Sequence, residues 1–153
     1  MTSDINPCAD NKQLVHRFMD ECWNLGKFES IREMVAENCA VHDPVFPSLA
    51  PGVDNLMRHI ITSRNGFPDL HFTIDDTIGE GDEVVVHWTA RGTHRNLFLG
   101  LQPTDRSATV TGTSIFRMQN CRIVEQWADW NLLSLLQQLG IAMVPAAQEK
   151  ARN

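Results

Sequence analysis

From residue 70 the chain reads LHFTIDDTIGEGDEVVVHWTARGTH to residue 94, and here its apolar period changes from 3.6 to 2. Phe72, Ile74 and Asp76 alternate with Thr73, Asp75 and Thr77, the pattern of a half-buried strand. A turn at Gly79 to Asp82 leads into Glu83 to His94, whose β-branched and aromatic content predicts a second strand. Beyond a Pro103-containing loop over Gly100 to Arg106, Ser107 to Gln119 and Arg122 to Asp129 form a hairpin through Asn120 and Cys121. Four strands of about ten residues must twist, and such a sheet packed on helices leaves a concave face where a ligand fits.

Upstream the pattern is helical. Asp10 and Gln13 have the form of a capping box, followed by a stripe of Leu14, Val15, Phe18, Met19 and Cys22 that Gly26 closes. Phe28 to Val35 reads as a short second helix, and Cys39 to His42 as a short extended piece. Pro44, Pro47 and Pro51 impose an irregular loop, because proline blocks helix and ladder alike. Val53, Leu56, Met57, Ile60 and Ile61 then mark a third helix, ended by Gly66 and Pro68. Trp130 to Leu139 reads as a closing helix. Helices first and strands afterwards is the order of an α+β fold, here three helices followed by a curved antiparallel sheet.

With 153 residues the chain fits a single domain, 1–153, with frayed ends at about 1–9 and 145–153. A chain of this length buries roughly 70% of its unfolded surface without staples. Thirteen Lys and Arg against nineteen Asp and Glu give a formal charge of -6 with no basic block, which argues against a nucleic-acid partner. No apolar run reaches the roughly 20 residues that span a bilayer, and the first ten residues lack the apolar stretch of a secretory signal. Four scattered cysteines without a C-x-x-C pair point to a cytoplasmic protein with reduced thiols. No H-E-x-x-H, P-loop, G-x-S-x-G or G-x-G-x-x-G pattern occurs, so metal, phosphoryl, serine-hydrolase and hydride chemistry lose their usual apparatus.

What remains is acid/base chemistry in an apolar cavity, or ligand binding. Asp129 is the leading acid/base candidate: strand parity puts Ile123, Glu125, Trp127 and Asp129 on one face if no bulge intervenes. A carboxyl beside an indole in an apolar cavity loses hydration, and its pKa rises. The structural alternative is that Asp129 caps the closing helix. His94 ends the strand containing Trp88 and Ala90, either at the cavity mouth or as a solvated turn residue. His42 precedes Asp43 and Pro44 in a loop, and His59 falls off the apolar stripe of its helix, which by itself says exposed. Trp23, Trp88, Trp127 and Trp130 offer indoles for a flat ligand, or for the core. Val85, His87 and Thr89 share an exposed sheet face suited to a homodimer.

The strings Trp88-Thr89-Ala90-Arg91-Gly92-Thr93-His94, Phe98-x-Gly100, Pro103-Thr104 and Ile115-Phe116-Arg117 resemble the SnoaL-like polyketide cyclase (ester cyclase) family. So do Arg122-Ile123-x-Glu125-x-Trp127, Asp129 and Gln138-Leu139-Gly140, with His42-Asp43-Pro44 and Phe67-Pro68-Asp69 upstream. The resemblance runs from about Lys12 to Gly140. It implies a nuclear transport factor 2-like cone, often dimeric, working without a cofactor or metal on a small hydrophobic, polyketide-like carbonyl compound by intramolecular aldol closure. It assigns Asp129 as the acid/base and matches His94 to a family histidine, and a catalytic role is expected of His94, with His94 or His59 as the donor to the enolate charge. Trp23 and His59 fall at pocket-lining helix positions of the family; His42, by its loop position, and Trp88 and Trp127, as indoles, are further expected substrate contacts. Two other readings stay open: a hydratase or epoxide hydrolase using Glu125 or Arg117 beside Asp129, and a non-catalytic ligand-binding module.

Overall fold

The computed structural model describes residues 10–142, so the ends expected to fray, 1–9 and 145–153, lie outside the described residues. The first helix, α1 (Asn11–Phe18), starts where the sequence says: the Asp10 side chain accepts from the Gln13 backbone N–H at 3.0 Å. It continues as a π-helical turn over Met19–Asn24 before Gly26 reverses the chain at φ +65°. The next helix, α2, is only Ile31–Met34, and Val35, expected on its apolar side, already belongs to strand β1 (Val35–His42). Helix α3 spans Val53–Gly66 and buries Val53, Leu56 and Ile60, whereas Ile61, read as part of its stripe, is exposed.

Four strands follow: β2 (His71–Glu80), β3 (Glu83–Thr93), β4 (Ser107–Gln119) and β5 (Arg122–Trp130), with a closing helix α4 (Leu132–Gln138). The β4–β5 hairpin turns through Asn120 and Cys121, both at positive φ (52° and 65°), the backbone of a type I′ connection. The sheet has five strands in the order β1-β5-β4-β3-β2. All neighbours are antiparallel except β1, which lies parallel to β5 at the edge. The antiparallel sheet foreseen from sequence therefore gains a parallel edge strand from the helical half of the chain.

Two bulges reset the faces. In β2 the pairing slips between Ile74 and Asp76, so Asp76 turns out to solvent and Thr77 is half-buried instead. In β5, Arg117 pairs with Glu125 but the next residue, Met118, pairs with Ile123, leaving Val124 as the extra residue.

The core joins Val15, Phe18 and Cys22 of the first helix to Leu56 and Ile60 of α3 and to Val84, Val86, Phe116 and Ile123 of the sheet. Val85, His87 and Thr89 lie on the opposite face of β3, where Val85 and Thr89 are half-buried and His87 exposed. Cys22 and Cys39 are free and buried. Cys121 is disulfide-bonded, so the expectation of reduced thiols does not extend to it. Among the described residues no helix is long and apolar enough to cross a membrane.

Candidate active site

The helices and the concave side of the sheet enclose a cavity of about 120 Å³, walled mainly by apolar and aromatic side chains. Trp23 enters from the π-helical turn, which is pinned at both flanks. The Arg64 guanidinium donates to the backbone oxygens of Trp23 (2.6 Å) and Asn24 (2.9 Å), and the Asn24 amide pairs with the Phe72 backbone. Trp88 forms the floor, its Nε1 donating to Ser114 Oγ at 2.9 Å with Phe72 set edge-on against its ring. Gly112 sits beneath it because no side chain fits there.

Among the described residues one carboxylate lines this cavity, Asp43. It follows Cys39 and Val41 at strand parity on β1, and two bonds hold it: Val45 N–H donates to Oδ1 (2.9 Å) and Trp130 Nε1 to Oδ2 (3.1 Å). Asp43 is 9% exposed. Burial pushes its pKa up, against the opposing pull of those two bonds and of the nearby His59. His59 projects from α3 into the same cavity, edge-on to Trp23 (5.7 Å between rings) and to Phe46 (4.5 Å). Burial lowers its pKa, and the Asp43 charge raises it in part, so the imidazole is neutral at neutral pH. A carboxyl of raised basicity and a neutral imidazole in an apolar chamber can move a proton to and from a carbon acid.

The sequence-predicted residues divide between the two faces of the sheet. Trp23, His59 and Trp88 line the cavity, and the helical-wheel reading of His59 as exposed does not hold. Asp129 does not line it. The extra residue Val124 inverts the parity of β5, turning Gln126, Ala128 and Trp130 inward and leaving Glu125, Trp127 and Asp129 on the outer face. Asp129 is exposed, and it does not cap α4; Asn131 does, its side chain accepting from Ser134 N–H at 2.9 Å.

His42 and Trp127 are likewise outside, stacked on each other at 5.3 Å and sharing with Asp129 a second, outer pocket of about 490 Å³ that Asp43 also lines. Glu125 and Arg117 pair at 2.9 Å on that side, and Glu125 also binds His42 Nε2 at 2.7 Å. They are engaged with each other, away from the cavity carboxyl. His94 is fully buried (0% exposed) but outside the cavity lining, stacked on Phe67 at 5.3 Å with Nδ1 accepting from Thr104 N–H at 3.3 Å. It fastens the 94–106 loop and is neither solvated nor at the mouth.

Asp43 and Gln126 are cavity residues that sequence reasoning missed as candidates, whereas Trp130 was among the indoles it named. The signal for Asp43 was present in the alternation Cys39, Val41, Asp43 beside the quoted His42-Asp43-Pro44 string. Gln126 carried no such signal, because the bulge that turns it inward leaves no mark in the sequence.

A family model described as SnoaL-like polyketide cyclase matches residues 13–139. Among solved structures, TsrD from Streptomyces laurentii is 25% identical, with a TM-score of 0.79 over 88% of this chain and 97% of its own. IdmH from Streptomyces antibioticus, a candidate polyketide cyclase, is 30% identical, with a TM-score of 0.72 over 84% and 96%. A candidate polyketide cyclase from Acidithiobacillus ferrooxidans is 26% identical, with a TM-score of 0.77 over 93% and 100%. No curated protein sequence matches significantly.

Proposed function

The chain belongs to the SnoaL-like polyketide cyclase family, and on that premise we propose that it is a cofactor-independent cyclase whose acid/base is Asp43. The observation that carries the reading is that Asp43 is, among the described residues, the one carboxylate in the cavity lining, raised in pKa by burial and oriented by two hydrogen bonds. In the proposed reaction Asp43 takes a proton from the carbon next to a substrate carbonyl. The resulting enolate carbon attacks a second carbonyl of the same molecule, and the alkoxide so formed takes the proton back from Asp43, directly or through His59. The apolar walls hold the substrate folded with its reacting ends together, which removes much of the entropic barrier.

The cavity, about 120 Å³, is on the scale of the engineered apolar cavity of about 150 Å³ that admits benzene. A small hydrophobic carbonyl compound presenting about one ring to the interior fits that space. The deciding experiment is Asp43→Asn, whose single amide oxygen still accepts from Val45 N–H or from Trp130 Nε1, though not from both. Turnover of a diketone methyl ester that closes by intramolecular aldol addition should fall by about 10²–10⁴-fold with the fold intact. A folded Asp43→Asn protein that retains turnover refutes the assignment.

A further inference from the structure

We infer that the Ser114 hydroxyl is a substrate-binding group, donating a hydrogen bond to the oxygen of the carbonyl that is attacked on ring closure. Ser114 is the one polar side chain that β4 contributes to the cavity lining, beside Ala108, Val110 and Phe116. Among the described residues its Oγ makes a single hydrogen bond, the one it accepts from Trp88 Nε1 at 2.9 Å. An indole N–H can only donate, so this bond uses a lone pair of Oγ and leaves the hydroxyl proton without an acceptor. Ser114 is 7% exposed, and a donor buried to that degree without an acceptor is costly. The space that Ser114 borders, and from which an acceptor can come, is the cavity.

The sheet sets this hydroxyl opposite the cavity carboxyl. Ser114 pairs with Ala128 of β5, whose methyl also lines the cavity. Asp43 follows His42, whose ladder partner is Trp127, and so stands level with Ala128 on its other side. Asp43, Ala128 and Ser114 thus form one row across the sheet, all three in the cavity lining. With strands about 4.8 Å apart, the carboxyl and the hydroxyl are rooted roughly 10 Å apart with only a methyl between them.

That span suits the proposed ring closure, and the inference rests on the cyclase reading for the identity of the oxygen. Asp43 touches the carbon acid and Ser114 the oxygen of the second carbonyl, each at about 3 Å. The two carbons that join lie about 3–3.5 Å apart in a near-attack arrangement, so the whole chain of contacts is on the 10 Å scale. As the C–C bond forms, the π electrons of the attacked carbonyl move onto its oxygen. The Ser114 hydroxyl stabilises that developing charge without giving up its proton. Accepting from the Trp88 indole polarises the O–H and makes it the stronger donor.

The test uses two compounds of nearly the same shape, acetophenone and α-methylstyrene, in which C=O replaces C=CH₂. In a purely apolar chamber the hydrocarbon binds more tightly, because the ketone gives up its hydrogen bonds to water. Calorimetric titration of the wild type should instead show the ketone bound about two- to tenfold tighter, the size of one net hydrogen bond. Ser114→Cys keeps an atom in front of Trp88 Nε1 but exchanges a good donor for a weak one, and should bring the ratio to one or below. A second comparison sets Trp88→Phe, which should keep the preference, against Trp88→Phe with Ser114→Ala, which should lose it without freeing an indole N–H. A wild type that does not favour the ketone overturns the inference, as does either Ser114 variant that favours it as strongly as its parent. So does failure of both Ser114 variants to fold, which would show that the hydroxyl is structural. Retained turnover in Asp43→Asn would end the cyclase reading, whereas the ketone ratio in the Ser114 variants decides this inference.

Discussion

Gly112→Ala probes the cavity floor from beneath. A Cβ built at residue 112 lies 2.3 Å from Trp88 Cζ2, 2.5 Å from Cη2 and 2.8 Å from Trp130 Cβ. Gly112 has no positive φ, so the cost of alanine here is steric rather than conformational. The indole would have to retreat by roughly 1 Å to restore an ordinary contact, and a packed interior resists such displacements. Trp88 has little freedom to comply: it is 5% exposed, tied through Nε1 to Ser114, and flanked by Phe72 at 4.9 Å between rings. Its way out is upward into the cavity.

Overpacking of this kind costs about 1–3 kcal/mol, which for a domain of this length lowers the melting temperature by roughly 3–10 °C. The same displacement narrows the chamber, so acetophenone binding should weaken in parallel. Differential scanning calorimetry and titration of Gly112→Ala against Thr111→Ala, whose side chain is on the exposed outer face, separate this effect from a general loss in β4. If Gly112→Ala melts within 1 °C of the wild type and binds acetophenone equally well, the packing argument for the cavity floor is wrong.

Two further outcomes follow from the geometry. Because burial raises the folded pKa of Asp43, ionising it costs folding free energy: its contribution is fully present below its ordinary value of 3.8 and is lost as pH rises through the raised value. Urea unfolding of wild type and Asp43→Asn should therefore diverge across that window and run parallel above it. His59 has the opposite sign, its lowered pKa contributing stability above 6.5 that is lost as pH falls through the folded value, so His59→Gln should flatten the acid-side decline. At the closing helix, Asn131→Ala should cost about 1 kcal/mol through loss of the cap, whereas Asp129→Ala should change stability by less than about 0.5 kcal/mol. The reverse ranking in urea melts would restore Asp129 as the cap.

Local signals sufficed for much of the architecture. The shift of apolar period at residue 70, the Asp10–Gln13 cap, the stripe of α3 and the β4–β5 hairpin each depend on residues within a turn or a strand of one another. The family resemblance singled out Trp23 and His59, and both side chains line the cavity. What sequence could not settle was which way β5 faces. Side-chain parity is a period-2 property, and one extra residue inverts it for every position that follows.

The bulge at Val124 is set by how β5 registers on β4, a partner joined only in the folded sheet. That single offset moved Asp129 and Trp127 to the outside and brought Gln126 and Trp130 in. The parallel docking of β1 on β5 then set Asp43 beside Trp130 Nε1, joining residues 87 positions apart. Sequence determined that a sheet and helices would enclose an apolar chamber; the pairing of distant strands decided which carboxyl group lines it.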